Sequence, residues 1–470
     1  MFKLVQSCNG GIVWESGLAA KGAAQVLSCL VLIAFLSPFG CTQTLDAVRA
    51  EAATAYAKGQ FSEAARTLDT PEAVEAHAAR NRLLWNLERA SLALYLRDYD
   101  RALALFDDAE NDAAYQYDPN AVDVLAQWTF NDTGARYTAQ PYEDMYISVM
   151  KQIAYLAQGR IDGFATAESR RHLGKAAHLR DVYGKYMTTL TSGSRGEYVN
   201  NVGNANAPQV TKDDEGQFIE STLGTYLAMM IFTHTGEANL QEQTARSLRD
   251  AVQKQRAFSG GVDLKNLERN ESLRPGEFNV VVVALSGRGP TKVEGSLRLA
   301  GLGIPIEYPK LVVSPHIADG AYLEVEGQPG ASDAQPLFLI EDFGLTAVEN
   351  YRRAEPVQYA RTLIRLGAKL GLVTTATIVA NNQEATREYT ALIAAVGALA
   401  VWASEQADLR CWSMLPGQAR VGHHQLPPGS YRVRVRYDRG GTTVFRSPWE
   451  TISVSSGKLT TVVTHFPGGG

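Results

Sequence analysis

Ala52-Ala53-Thr54-Ala55-Tyr56-Ala57-Lys58-Gly59-Gln60-Phe61-Ser62-Glu63-Ala64 reads as helix, tight turn, helix. Gly59 stands where the first helix must stop. The pattern returns as Leu94-Tyr95-Leu96-Arg97-Asp98-Tyr99-Asp100-Arg101-Ala102, followed by Leu105-Phe106. It returns again as Ala154-Tyr155-Leu156-Ala157-Gln158-Gly159-Arg160-Ile161-Asp162-Gly163-Phe164. A fourth, weaker copy runs from Tyr226-Leu227-Ala228 to His234-Thr235-Gly236-Glu237-Ala238.

These copies resemble tetratricopeptide repeats. Their small and aromatic positions let paired helices approach closely, and stacked pairs bury one continuous core. Phe61 and Tyr99 lie 38 positions apart, near the repeat period, whereas Tyr99 and Ile161 lie 62 apart. The array is therefore interrupted. The interruption, Asn111 to Pro141, carries Trp128, Phe130 and Tyr137, with Tyr142 just beyond. These aromatics have two readings: core packing under a long loop, or the wall of a groove for a partner peptide.

C-terminal to the array, Thr191 to Gly216 is polar and rich in Gly and Asn, the composition of an excursion between helices. The period changes at Phe278. Val280-Val281-Val282-Val283-Ala284-Leu285 is a buried strand, and Ser286-Gly287-Arg288-Gly289-Pro290 is its turn. Further strands are expected over Tyr308 to Val313, Ala321 to Val325 and Leu337 to Ile340. Helix then returns as two apolar stretches, Arg361 to Ala380 and Tyr389 to Gln406, both short for a membrane span. Tyr431-Arg432-Val433-Arg434-Val435-Arg436-Tyr437 alternates strictly and places three arginines on one face of a strand. The fold class expected is α+β: an irregular tetratricopeptide-like helical solenoid followed by a β-sandwich-like module with a helical hairpin insertion.

Upstream of the repeats lies Val26-Leu27-Ser28-Cys29-Leu30-Val31-Leu32-Ile33-Ala34-Phe35-Leu36, with Lys21 before it and Ser37-Pro38-Phe39-Gly40-Cys41 after it. Its length suits a signal-peptide core and falls short of the roughly 20 apolar residues of a membrane span. A small residue before Cys41 resembles a bacterial lipoprotein signal, although Pro38 and Phe39 depart from the usual pattern. Cys41 is the expected lipidation site, and several acyl chains would give stable anchoring. Thr42 after it resembles the outer-membrane-sorted class. The expected divisions are 1–40 (signal peptide), 41–270 (helical domain), 271–350 (first β stretch), 351–409 (helical hairpin) and 410–470 (C-terminal β module).

The net charge of −5, with 45% hydrophobic and 20% charged residues, offers no basic surface for nucleic acid. Cys411 is the one cysteine beyond Cys41, which leaves no internal disulfide to form in the mature chain. No His-Glu-x-x-His and no Gly-x-Ser-x-Gly occurs. His423 and His424 are adjacent on a strand and face opposite ways, so they make a poor metal pair. Ser286 to Lys292 lacks phosphate-loop spacing, and Pro290 removes a backbone N–H from such a cradle. Neither a catalytic residue, a metal nor a cofactor is expected, and the chain reads as a non-enzyme.

Three blocks carry a wider resemblance. The first is Pro141-Tyr142-Glu143 with Ala154-Tyr155-Leu156, Gly159 and Glu168-Ser169-Arg170-Arg171. The second is Gly287, Gly289-Pro290 and Lys292. The third is Ala407-Asp408-Leu409-Arg410-Cys411-Trp412-Ser413-Met414-Leu415-Pro416, then Leu426-Pro427-Pro428-Gly429-Ser430-Tyr431. Together they resemble a family of uncharacterised bacterial envelope lipoproteins with tetratricopeptide-like N-terminal helices. The resemblance implies localisation in the cell envelope, on the periplasmic face of the outer membrane, and carries no established activity. Trp128, Tyr137, Tyr142, Arg170 and Arg171 are the candidate partner-binding residues. Asp408, Arg410, Trp412, Leu415 and Pro416 form a structural motif. The expected function is a lipid-anchored scaffold for an envelope protein or peptide; the alternative is a homo-oligomeric assembly or transport component using the 361–406 hairpin.

Overall fold

The computed structural model describes residues 39–77, 80–116, 136–191, 218–256, 273–298, 305–326, 334–353 and 407–468. Trp128 and the 361–406 hairpin lie outside these residues, as does the leader core. The fold is mixed α+β, with helices in the N-terminal half and a curled sheet in the C-terminal half. No helix among the described residues is long and apolar enough to cross a membrane.

The helices are α1 (Phe39–Ala57), α2 (Phe61–Leu68), α3 (Pro71–His77), α4 (Arg82–Tyr95), α5 (Tyr99–Gln116), α6 (Pro141–Ala157), α7 (Thr166–Thr191), α8 (Thr222–Thr235) and α9 (Ala238–Arg256). A further helix, α10, runs over 343–353. Four of the turns between them have one geometry. Gly59, Arg97, Gly159 and Gly236 are all left-handed, with φ of 73°, 66°, 70° and 76°. In each turn the left-handed residue donates its N–H to the carbonyl three residues back: Tyr56, Leu94, Leu156 and Thr233. The next residue donates to the carbonyl five back: Ala55, Ala93, Tyr155 and Phe232. This closes the last turn of each first helix and aims the chain back along it. A new helical segment begins two residues after the left-handed position, at Phe61, Tyr99, Ile161 and Ala238. At Ile161 it opens as a π-helical turn, Ile161–Ala165, that runs into α7.

The strands are β1 (Val280–Ser286), β2 (Thr291–Arg298), β3 (Pro305–Val312), β4 (Gly320–Val325), β5 (Gln335–Asp342), β6 (Gln418–His424), β7 (Gly429–Arg439), β8 (Thr442–Arg446), β9 (Glu450–Val454) and β10 (Thr460–Phe466). Eight form one sheet in the order β10-β1-β6-β5-β4-β7-β8, with β9 also on β7, while β2 and β3 pair separately as a ribbon. β1 is parallel to β10 and antiparallel to β6. The two β stretches of the sequence therefore interleave in one sheet. Where two packed layers were expected, the sheet curls and buries its own inner face. Phe445 of β8 and Phe466 of β10 stack with centroids 4.6 Å apart, joining the two ends of the strand order.

β1 shows why its whole run is apolar. Val280, Val282 and Ala284 point into the curl, among Leu323, Val433, Val435 and Tyr437. Val281, Val283 and Leu285 point outward and join the helical core. A strand covered on both faces needs no polar alternation.

The first helices of the later pairs lie between the second helices and the sheet. On α6, Tyr142 to Ala154 are buried without exception, and on α8 so are Thr222 to Thr233. Each first helix sends a tyrosine to the sheet side: Tyr56 and Tyr95 stack on His465, Tyr146 packs on Phe343, and Tyr226 meets Phe338 edge-on. Gly224 permits the close approach of α8. A Cβ there would meet His172 Nε2 at 2.4 Å and a methyl of Val149 at 2.9 Å. His172 is buried and its Nδ1 is hydrogen-bonded to Ser148 Oγ at 2.7 Å, so it has no room to swing away. Gly224→Ala should therefore lower stability by about 1–3 kcal/mol, read from urea unfolding followed by circular dichroism. An unchanged midpoint would show that α8 can move off α6 and α7 freely.

Candidate functional site

A dense set of buried polar contacts lies where residues 407–417 cross α1, α4 and α6. This strap has no regular secondary structure and runs directly into β6. Asp408 and Arg410 form a two-armed ion pair, Nε to Oδ1 at 2.8 Å and Nη2 to Oδ2 at 2.7 Å. Burial works against the Arg410 charge, but Asp408 holds its pKa above the ordinary value. Arg410 also donates to Asn81 Oδ1 at 2.6 Å, which pins the strap to the start of α4.

Trp412 is the centre of the strap. It is 1% exposed, donates Nε1–H to Ser91 Oγ at 2.9 Å and tilts against Phe106. Its backbone N–H donates to Glu143 Oε1 at 2.9 Å. Glu143 is fully buried and also accepts from the Tyr137 hydroxyl at 2.7 Å and from the Gln140 N–H at 2.8 Å. Burial raises the Glu143 pKa, against which these donors and the charge of Lys292 act.

Further along, Arg49 reaches from α1 to the Cys411 carbonyl at 2.8 Å and to Glu88 at 3.2 Å. Ser413 Oγ donates to Glu88 Oε1 at 2.8 Å. The Tyr95 hydroxyl donates to the Met414 carbonyl at 2.7 Å, and Tyr56 lies within reach of the Met414 and Leu415 carbonyls. Leu415 is buried, and its carbonyl accepts from Gly289 N–H at 2.6 Å. Pro416 is buried beside it. Gly417 N–H donates to Ser286 O at 3.0 Å. The three sequence blocks thus meet in space: Glu143 from the first, Gly289 from the second, and the strap itself.

The candidate partner-binding residues separate. Tyr137 and Tyr142 are core residues, 1% and 2% exposed, and Tyr137 serves to orient Glu143. Arg170 and Arg171 lie on the outer face of α7 with side chains 56% and 53% exposed, paired with Glu237 and with Glu110 and Glu168. Beneath them Lys151, 1% exposed, is held by Asp107 and Glu110 at 2.7 Å each and by Glu168 at 3.2 Å. Cys41 falls within α1, and its side chain is outside the described residues.

Cys411 is buried with its Sγ 3.9 Å from the Pro290 carbonyl, and burial raises its pKa, so it is poorly suited to act as a thiolate. The arginines of β7 lie against acids and aromatic rings: Arg434 bonds Glu324 at 2.6 Å and sits over Trp449, and Arg436 sits over Tyr322. Among the described residues no group of three or more His, Cys, Asp or Glu is placed to hold a metal ion.

Sequence reasoning missed Glu341. This side chain, fully buried at the end of β5, accepts from the Tyr146 hydroxyl at 2.7 Å, from the Ser221 hydroxyl and from the Leu223 N–H at 2.9 Å. It receives the N-terminus of α8. Asp342 beside it pairs with His316 at 2.8 Å and accepts from Gln418 at 2.8 Å. Glu341 has no local signature, because its partners lie more than a hundred positions away in sequence. Comparison with protein-family models, with curated proteins and with solved structures gives no match to this chain.

Proposed function

We propose that this chain is a non-catalytic, lipid-anchored scaffold of the cell envelope that holds a protein or peptide partner on a tetratricopeptide-like helical array. The observation that supports the helical-array part of this reading is the common geometry of the turns at Gly59, Arg97, Gly159 and Gly236, shared by four helix pairs. Stacked units of this kind bind through the faces that they leave uncovered. Here the first helices are covered by the strap and the sheet, so the second helices α2, α5, α7 and α9 carry the open surface. Arg170 and Arg171 lie on it.

The experiment is in-cell crosslinking of the tagged full chain, with partners read by mass spectrometry, beside Cys41→Ala and the double change Arg170→Ala, Arg171→Ala. A discrete partner set lost with Cys41→Ala supports the anchored scaffold. Both arginine side chains are more than half exposed, Glu168, the buried partner of Arg171, keeps Lys151, and pairs at the surface contribute about 0–1 kcal/mol each. The double variant should therefore keep near-normal stability and lose the partner. Self-crosslinks confined to residues 361–406 would replace the scaffold by a homo-oligomeric assembly component. The same partners at the same yield from all three proteins would sink both the anchor and the arginine surface.

A further inference from the structure

The strap is held as a bound peptide is held. Side chains of three helices take its main chain: Arg49 the Cys411 carbonyl, Glu143 the Trp412 N–H, and Tyr95 the Met414 carbonyl. One large side chain, Trp412, is sunk between the helices as an anchor. Main-chain hydrogen bonds combined with one anchoring pocket are how receptors take extended peptides. The face that does this is also the inner face of the helix pairs, made by the first helices α1, α4 and α6.

The fit is incomplete. Arg49 Nε and Glu88 Oε2 are both buried without a hydrogen-bond partner. Glu88 is fully buried, and its other oxygen takes both Arg49 and Ser413. A buried carboxylate oxygen left unmet carries a penalty that a better donor would relieve. The groove therefore has recognition capacity that its present occupant does not use.

Beyond the outer arginine surface of the scaffold reading above, we infer that the α1–α4–α6 face is a second site, a receptor groove for an extended peptide, occupied in cis by residues 407–416, and that a partner segment reaches it by displacing this strap. The partner's chemistry follows from the contacts. It is an extended segment with an indole at the Trp412 position, a hydrogen-bond donor side chain directly after it to meet Glu88, and no acidic residue near Glu88 and Glu143. A cis occupant lowers the apparent affinity of a trans peptide by the fraction of time that the groove is open. Partner binding would thus be held in check until the strap is loosened.

The test uses the purified full chain and a fluorescent synthetic peptide of residues 407–417 carrying Cys411→Ser. Trp412→Ala in the protein weakens the cis occupant and leaves the groove residues in place. The folded variant should bind the peptide at least about tenfold more tightly than the unchanged protein. Adding Glu143→Ala to that variant should abolish the gain. A folded variant that binds no better than the unchanged protein would overturn the inference. A second measurement needs no substitution. Alkylation of Cys411 in the unchanged protein, located by mass spectrometry, should speed up severalfold with excess peptide and stay constant with a scrambled one; a rate indifferent to both peptides would also overturn it. Peptide binding by a protein that yields no envelope partners in cells would keep the groove and remove the envelope scaffold.

Discussion

Trp412→Ala is expected to lower the unfolding free energy by about 3–5 kcal/mol, the range for removing a large buried aromatic side chain. The indole is 1% exposed, and its place among Phe106, Ser91 and the inner helix ends is enclosed. The loss is mainly one of packing. Ser91 keeps its own bond to the Leu87 carbonyl at 3.0 Å when the indole N–H is gone, so no new orphan is created on α4. Trp412→Phe separates the two contributions, because it refills most of the space without the N–H. It should cost about 1–2 kcal/mol. Urea unfolding of the three proteins measures both. Equal losses for Ala and Phe would mean that the single Ser91 bond dominates. A loss under about 1 kcal/mol for Ala would mean that the strap is not anchored by its indole.

The helical turns were legible because their chemistry is local. A glycine after an apolar helix, followed two residues later by an aromatic or aliphatic residue, announces the turn at Gly59, Gly159 and Gly236. Arg97 takes the same left-handed geometry without being glycine. It was still readable, since Leu94-Tyr95-Leu96 and Tyr99 keep the spacing on either side. The strand β1 was legible from its uninterrupted apolar run, and β7 from its alternation. The two β stretches were expected to join in one module, but the strand order was not legible, because β1 finds β6 and β10 across long stretches of chain and nothing in its own residues names them.

Tyr137 and Tyr142 show where local reading ends. A tyrosine has an apolar body and a polar tip, and it suits a groove wall or a hydrogen-bonded core position equally well. What decides is whether something covers it. Here the cover is the strap and Glu143, one far along the chain and the other at the start of α6. The strap itself was recognisable as a motif from Asp408, Arg410, Trp412, Leu415 and Pro416, but its docking partners were not.

Glu341→Gln should remove a pH dependence that the unchanged protein carries. Burial pushes the Glu341 pKa from 4.5 up to about 7, against the pull of three hydrogen-bond donors, and the neighbouring Asp342 adds to the rise. The folded state therefore binds this proton more tightly than the unfolded state. Stability from this group is fully present below the unfolded value of 4.5 and is lost as pH rises through about 7. Glutamine has no proton to lose. Its amide oxygen can accept from the Leu223 N–H, and its amide N–H can donate to the Tyr146 oxygen, so the start of α8 stays attached to β5. Between about pH 5 and about pH 8 the stability of the variant relative to the unchanged protein should shift in its favour by about 2–3 kcal/mol. Paired urea unfolding curves at the two pH values give this double difference, in which groups that titrate alike in both proteins cancel. A difference near zero would show that the carboxylate is ionised in the folded protein throughout this range, with its three donors outweighing burial. A difference of the opposite sign would mean that the donors hold the pKa below that of the unfolded chain. The expected result would instead make the seam between α8 and the sheet a place where the fold loses stability as the solution becomes alkaline.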